Sequence, residues 1–318
     1  MYKNVTGDMK CQSCNYPFTV DFNQTSCFDP FLTTYLKWNN PVGIVILTVS
    51  VLTCVLTLFT TCLFLKYKDT PIVRHTNLPM SVLQLSLHLL LSVGVFALFV
   101  VHPGKIICTL RPLVIGLCLS INTAVNIGRT QKLYFIFNSK TVHSTSERRL
   151  VKRMDWLIIA MVTLLDGAIF TIFNVNGKTG VQLTYHDEEL VKEITCSNNL
   201  DIIIQLLFLL VLILVNGVNA FRARQLPSYF KETTHVIYSS FTSVVSLSGL
   251  MAIYFTQREM LAKEMVLMVF VNAMNLMHFL LIYLYKILVI VYHPQRNTIE
   301  AFNAMRQSKL QKQFQKTN

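Results

Sequence analysis

The chain has 318 residues, of which 53% are hydrophobic and only 14% charged, and its mean hydropathy is +0.48. A soluble domain carries about 25% charged residues, so this composition excludes a water-surrounded globule and calls for lipid against much of the surface. The formal net charge is +12, but the bases are spread over short loops, which argues against nucleic-acid binding.

Residues 1–40 are polar and lack the short apolar run of a secretory signal peptide. They hold Cys11, Cys14 and Cys27. The Cys11-Gln-Ser-Cys14 spacing resembles half a zinc site, but no second ligand pair follows, and no metal site is expected. Outside the cell, cysteines form disulfides. The expected local pair is Cys14–Cys27, with Cys11 left over. Asn4-Val-Thr6 and Asn23-Gln-Thr25 are glycosylation sequons, which mark Asn4 and Asn23 as acceptors.

Seven stretches are long and apolar enough to cross a hydrocarbon core of about 30 Å. They lie near 41–65, 78–101, 107–128, 154–175, 200–221, 234–255 and 266–291. The first contains no charged residue. Loops 66–77, 138–153 and 222–233, together with the tail, carry 16 Lys and Arg, and the segments on the opposite side carry 8. That asymmetry puts the basic side in the cytoplasm. The expected fold is an all-α membrane protein with a seven-transmembrane helix bundle over 41–291. Its N-terminus is extracellular and its C-terminus cytoplasmic. Residues 1–40 then end an extracellular cysteine-rich segment, and 292–318 form a basic cytoplasmic tail.

Cys108 stands at the outer end of span 3 and Cys196 in the outer loop before span 5. Free thiols are disfavoured in an oxidising compartment, so a Cys108–Cys196 bridge over the bundle is expected. Asp187, Glu188, Glu189 and Glu193 in the same loop read as a solvated acidic face. At the inner end of span 3, Arg129 and Lys132 read on their own as bases reaching for headgroups. The alternative pairs Arg129 with Glu232 at the start of span 6. Pro227 stops the helix before that loop.

Span 6 is rich in hydroxyls, among them Ser243 and Ser246. These suit either close helix contact or a polar cavity. Span 7 carries Asn272, Asn275 and His278 near one helical face. Bonds between helices and an interior binding site both remain open for them. His88 in span 2 is expected to be satisfied by packing, and Lys286 near the inner end of span 7 to reach out to the interface. No H-E-x-x-H, G-x-S-x-G or phosphate-cradling glycine loop occurs, and Asp166 has no answering acid in another span. Neither an enzyme nor a cofactor is implied. A transporter is disfavoured by the lack of an internal repeat.

Three motifs then carry a resemblance: Lys66-Tyr-Lys-Asp-Thr-Pro-Ile-Val73, Arg222-Ala-Arg-Gln-Leu-Pro-Ser-Tyr-Phe-Lys-Glu232 and His293-Pro-Gln-Arg-Asn-Thr298. In order, with seven spans, they resemble the inner loops and tail of the seven-helix domain of class C G protein-coupled receptors. Tyr35-Leu-Lys-Trp38 and the Cys108/Cys196 pair fit the same pattern. Ala223-Arg-Gln-Leu-Pro227 and Arg296-Asn-Thr-Ile-Glu300 look closer to the calcium-sensing, vomeronasal type 2 and amino-acid-sensing branch, with the metabotropic glutamate branch second. The resemblance implies a plasma-membrane receptor that dimerises and couples to a heterotrimeric G protein through inner loops 2 and 3. Arg148, Arg149, Arg224, Leu226 and Phe230 become candidate contacts, and Arg129–Glu232 an interhelical lock. It also implies a bilobed ligand-binding ectodomain, joined through the segment that ends at Cys11–Cys27. Some positions depart from the family pattern. Asn77-Leu-Pro-Met80 replaces Asn-Arg-Glu-Leu, Leu247 and Ala252 replace a tryptophan and a proline in span 6, and Tyr285-Lys-Ile-Leu288 replaces Pro-Lys-x-Tyr. A second reading is therefore a truncated or diverged receptor that serves as a non-sensing dimer partner.

Overall fold

The computed structural model describes residues 19–20, 27–28, 32–34, 40–102, 104–138, 145–175, 181–186, 191–196, 199–223, 232–298 and 300. Short strands β1 (Thr19–Val20), β2 (Cys27–Phe28) and β3 (Leu32–Thr34) come first. The first spanning helix is α1 (Pro41–Lys66), followed by a one-turn helix α2 (Pro71–His75). Next come α3 (Leu78–Val100), α4 (Lys105–Asn138) and α5 (Thr145–Val175). A hairpin of β4 (Val181–His186) and β5 (Val191–Cys196) leads to α6 (Asn199–Ala223), α7 (Glu232–Thr256) and α8 (Met260–Tyr292). A 3₁₀ turn, Pro294–Asn297, follows α8.

Among the described residues, seven helices are long and apolar enough to cross a membrane, and together they form the expected seven-helix bundle. Their starts follow local chemistry. Pro41 opens α1, and the Asn40 side chain accepts from the Val42 N–H at 3.2 Å. Asn77 takes the left-handed conformation at φ 59°, which asparagine tolerates, and turns the chain into α3 with Pro79 in its first turn.

α4 is the central element. It packs against α3, α5 and α6, and 56% of its apolar window is buried, against 22% for α5 and 28% for α1. The ring continues through α6–α7, α7–α8 and α8–α1, with α3 also touching α8. Two glycines of α4 set how closely α5 and α6 approach it. At Gly128 an added Cβ would lie 3.1 Å from the Asp155 backbone on α5. At Gly116 it would meet the Gln205 amide of α6 at 3.0 Å. Gly128→Ala is therefore expected to cost about 1–3 kcal/mol, because backbone cannot give way as a side chain can. Gly167→Ala on α5 meets nothing within 4 Å and should be neutral or stabilising. Thermal melts of the two variants in detergent check the contrast.

Several helices overrun the predicted spans. α4 continues ten residues past 128, and α5 begins at Thr145 rather than 154. The hairpin was not expected either. β5 pairs antiparallel with β4 and parallel with β3, Leu32 opposite Val191, so the segment before α1 joins the sheet of the loop before α6.

Candidate functional site

The site is read from two ends: the hairpin end of the bundle and the basic end, where α1, α2 and the closing turn meet. At the hairpin end, Cys108 lies in the first turn of α4 and Cys196 is the last residue of β5. They form the expected disulfide, with Cα atoms 5.4 Å apart. Arg111 is one helical turn further along α4, on the same face. Its Nη1 donates to Glu264 Oε2 of α8 at 3.0 Å and lies 3.2 Å from Cys196 Sγ, and its Nε donates to the Leu98 carbonyl of α3 at 2.9 Å. The other carboxylate oxygen, Glu264 Oε1, accepts from the Cys196 backbone N–H at 2.8 Å. One buried ion pair thus ties three helices to the hairpin. Sequence reading passed over both residues. The signal was there: an arginine inside an apolar span requires a partner.

Below this pair lies a cleft of about 40 Å³ between α4, α6, α7 and α8, lined by Ile115, Gly116, Gln205, Tyr254, Lys263 and Leu267 among others. Ser243 and Ser246 do not reach it. They border a recess between α7 and α8 with Met277 and His278.

A ladder of buried polar side chains links the middle of the bundle to the basic end. Arg129 of α4 donates through Nη2 to Ser81 Oγ at 3.0 Å and through Nη1 to Gln84 Oε1 at 3.1 Å, both on α3. The Tyr283 hydroxyl of α8 donates to the same Gln84 oxygen at 3.0 Å. Gln84 Nε2 donates to Asn126 Oδ1 at 3.2 Å, and Asn126 Nδ2 meets His278 Nε2 at 2.9 Å. His278 Nδ1 lies 3.3 Å from His88 Nε2, and His88 Nδ1 lies 2.6 Å from Asn275 Oδ1. Asn275 Nδ2 ends the run on Ser92 Oγ at 2.8 Å. Gln84, His88 and Asn126 are fully buried.

This arrangement corrects two expectations. His88 is satisfied by hydrogen bonds to α8, not by packing alone. Lys286 is 3% exposed, with its Nζ 5.5 Å from the Tyr283 ring centre. The reason is local. Ile72 and Val73 of α2 pack with Val289 and Ile290 of α8, which places protein where a reaching lysine would find headgroups. The span 7 asparagines divide between the two open readings. Asn272 Nδ2 donates to the Ile46 carbonyl at 3.0 Å and Ser50 Oγ at 2.7 Å of α1, a bond between helices. Asn275 joins the ladder and also borders a small cavity.

At the basic end, Lys132 pairs with Asp155 across α4 and α5 at 2.9 Å. The Asn297 side chain accepts from the Ile72 N–H at 3.2 Å, so the motifs Lys66–Val73 and His293–Thr298 meet in space. Arg148, Arg149 and Glu232 lie on helices α5 and α7, with side chains outside the described residues, and Cys27 lies on β2 in the same way. Asn4, Cys14, Asn23, Arg224, Leu226 and Phe230 fall outside the described residues altogether.

The family model described as "7 transmembrane sweet-taste receptor of 3 GCPR" matches residues 36–286, from just before α1 to within α8. The chain belongs to the class C G protein-coupled receptors. It is similar to metabotropic glutamate receptor 8 of Homo sapiens, 23% identical over 309 residues, covering 93% of this chain and 34% of that receptor. Metabotropic glutamate receptor 4 of Mus musculus is 25% identical over 299 residues, 90% and 32% of the two chains. The extracellular calcium-sensing receptor of Homo sapiens is 27% identical over 285 residues, 87% and 26% of the two. The chain thus spans about a third or less of the length of these relatives, and the two branches named from the sequence stand within a few percent of each other. As a class C receptor it is a multi-pass protein of the plasma membrane, in a family of receptors rather than enzymes.

Proposed function

We propose that this seven-helix domain passes an extracellular chemosensory, amino-acid or cation signal to a heterotrimeric G protein through inner loops 2 and 3. The observation that carries the proposal is the shared use of α4 and α8. Both helices hold the hairpin through Arg111, Glu264 and Cys196, and both contribute to the ladder that ends at Arg129. A displacement of the hairpin has a rigid path to the basic end. The parallel β3–β5 pairing supplies the input, because it joins the segment before α1 to the same hairpin.

In this reading the hairpin end faces outward, as the basic loops require. Asn4 and Asn23 then carry glycans, Cys14 pairs with Cys27, and Arg129 locks onto Glu232 in the resting state. Arg148, Arg149, Arg224, Leu226 and Phe230 contact the G protein, lipid surrounds the helices, and the receptor acts as a dimer. The names of the relatives, metabotropic glutamate receptors and the extracellular calcium-sensing receptor, support an amino-acid or cation signal.

The test is guanine-nucleotide exchange driven by an agonist, in a receptor that carries this domain beneath its ectodomain. Phe230→Ala should lower exchange by about fivefold or more, the loss expected when an interface anchor worth about 1 kcal/mol is removed, and Glu232→Arg, which breaks the lock with Arg129, should raise exchange in the absence of agonist. Unchanged exchange in both would sink the coupling role.

A second reading, a non-sensing dimer partner, draws on α7. Leu247, where the family has tryptophan, is fully packed, and α7 runs unbroken past Ala252. That reading predicts surface expression and assembly with a full-length receptor, but no exchange by this chain under any agonist.

A further inference from the structure

We propose that the His88–His278 pair at the centre of the bundle is a proton-binding site, and that uptake of one proton there releases Arg129 from Gln84. The inference rests on the direction of the ladder. One assignment of protons satisfies every contact. Asn126 Nδ2 donates to a bare His278 Nε2, His278 Nδ1–H donates to a bare His88 Nε2, and His88 Nδ1–H donates to Asn275 Oδ1. Asn275 is held in that orientation by its own donations to Ser92 Oγ and the His88 carbonyl. Both rings are therefore neutral, and neither has a free nitrogen.

A proton added at His278 Nε2 faces the Asn126 amide, donor against donor. Asn126 can answer by turning its oxygen to the ring. Its nitrogen then faces Gln84 Nε2, again donor against donor. Gln84 must turn in its place, and its nitrogen comes to face Arg129 Nη1, which has no lone pair to offer. The reversal stops there, at a lost contact between α3 and α4. A proton at His88 Nε2 meets His278 Nδ1–H and is transmitted through the same rings.

The surroundings leave the pair as the titrating centre of this run. α4 faces it with Asn126 and, further along, the charged Arg129. α8 adds Tyr283, whose ring centre is 6.3 Å from that of His88, and Lys286, whose Nζ is 5.5 Å from the same Tyr283 ring centre. α6 and α7 bring Leu209, Ile213 and Ser243 to the rings. These last border a cavity of about 20 Å³ against both rings, room for a single water. Asn122 Oδ1, buried in its wall, has no partner among the described residues. A proton arriving on water has a place to stand beside the pair.

The test is the melting temperature of the full chain in detergent as pH falls from about 7.5 to about 5.5, an interval around the ordinary histidine value. Uptake by the folded pair costs the Arg129–Gln84 contact, whereas the unfolded chain takes up protons at no such cost, so stability falls as pH falls through that interval. The expected drop is about 3 °C or more beyond that of His278→Gln, whose amide cannot take the proton. Asn126→Asp puts a carboxylate opposite Nε2, favours the added proton in the folded bundle and should shrink or reverse the acid loss. Arg129→Met removes the last forced contact, so its step should shrink. Equal pH profiles in the parent and His278→Gln would overturn the site. An undiminished acid loss in Asn126→Asp would do the same should His278→Gln fail to fold. An undiminished step in Arg129→Met would overturn the release of Arg129.

Discussion

Glu264→Ala is expected to lower the stability of the purified chain by about 3–5 kcal/mol, the cost of stripping one partner from a buried ion pair. The Arg111 side chain is 4% exposed and that of Glu264 14%, so water cannot replace the lost carboxylate. The damage extends beyond the pair. The Cys196 N–H loses its acceptor, and β5 loses this bond to α8 while keeping the disulfide to α4. Exchanging both residues for apolar ones of similar size, Arg111→Met with Glu264→Leu, should recover most of the loss, because the burial of two charges is removed together with their attraction. Thermal melts in detergent decide it. A single variant as stable as the parent would mean that the pair does not hold the hairpin. The double variant carries a second forecast. It should be stable but uncoupled, with ligand-driven signalling lost while surface expression stays normal.

Much of the bundle was legible in the sequence, and the reasons are physical. Lipid imposes length and apolarity on a spanning helix, so hydropathy finds all seven, from charge-free Pro41–Leu65 onward. The same rule fails where helices leave the membrane. The polar start of α5 at Thr145 and the end of α4 at Asn138 carry helical residues without hydropathy to mark them. The hairpin was missed because its strands are short and sit among acids that read as a solvated face. The disulfide was legible because two cysteines stood at one end of two spans in an oxidising compartment.

The site was legible only in part. Arg129, Asn272 and Asn275 could be singled out as polar residues in lipid, since each must find a partner. Which partner it finds is tertiary information. His88 and His278 are 190 positions apart and meet because α3 and α8 pack. Arg111 and Glu264 are 153 positions apart. Lys286 shows the converse error. Its place near the end of a span suggested an exit to headgroups, and the short helix α2 closes that exit.

Gln84→Leu is expected to be the most damaging single change in the ladder. Gln84 is fully buried and makes three contacts: its oxygen accepts from Arg129 and Tyr283, and its nitrogen donates to Asn126. Leucine fills the space but meets none of them. Interhelical hydrogen bonds in a membrane are worth about 0.6–2 kcal/mol each. An unmet polar group in a dry interior costs about 1–3 kcal/mol. Together these put the loss at about 2–5 kcal/mol. Gln84→Glu separates the contacts. A carboxylate keeps both acceptor contacts and makes the Arg129 contact an ion pair, but it sets an oxygen against Asn126 Oδ1. Asn126 must then turn and present its own oxygen to His278 Nε2, which invites a proton onto that ring. Gln84→Glu should therefore recover most of the stability lost in Gln84→Leu and shrink the acid-sensitive loss. Melting curves of both variants across that pH range read both effects. Equal losses in the two would mean that Gln84 contributes only its volume, and the ladder would no longer explain how α3, α4 and α8 are held together.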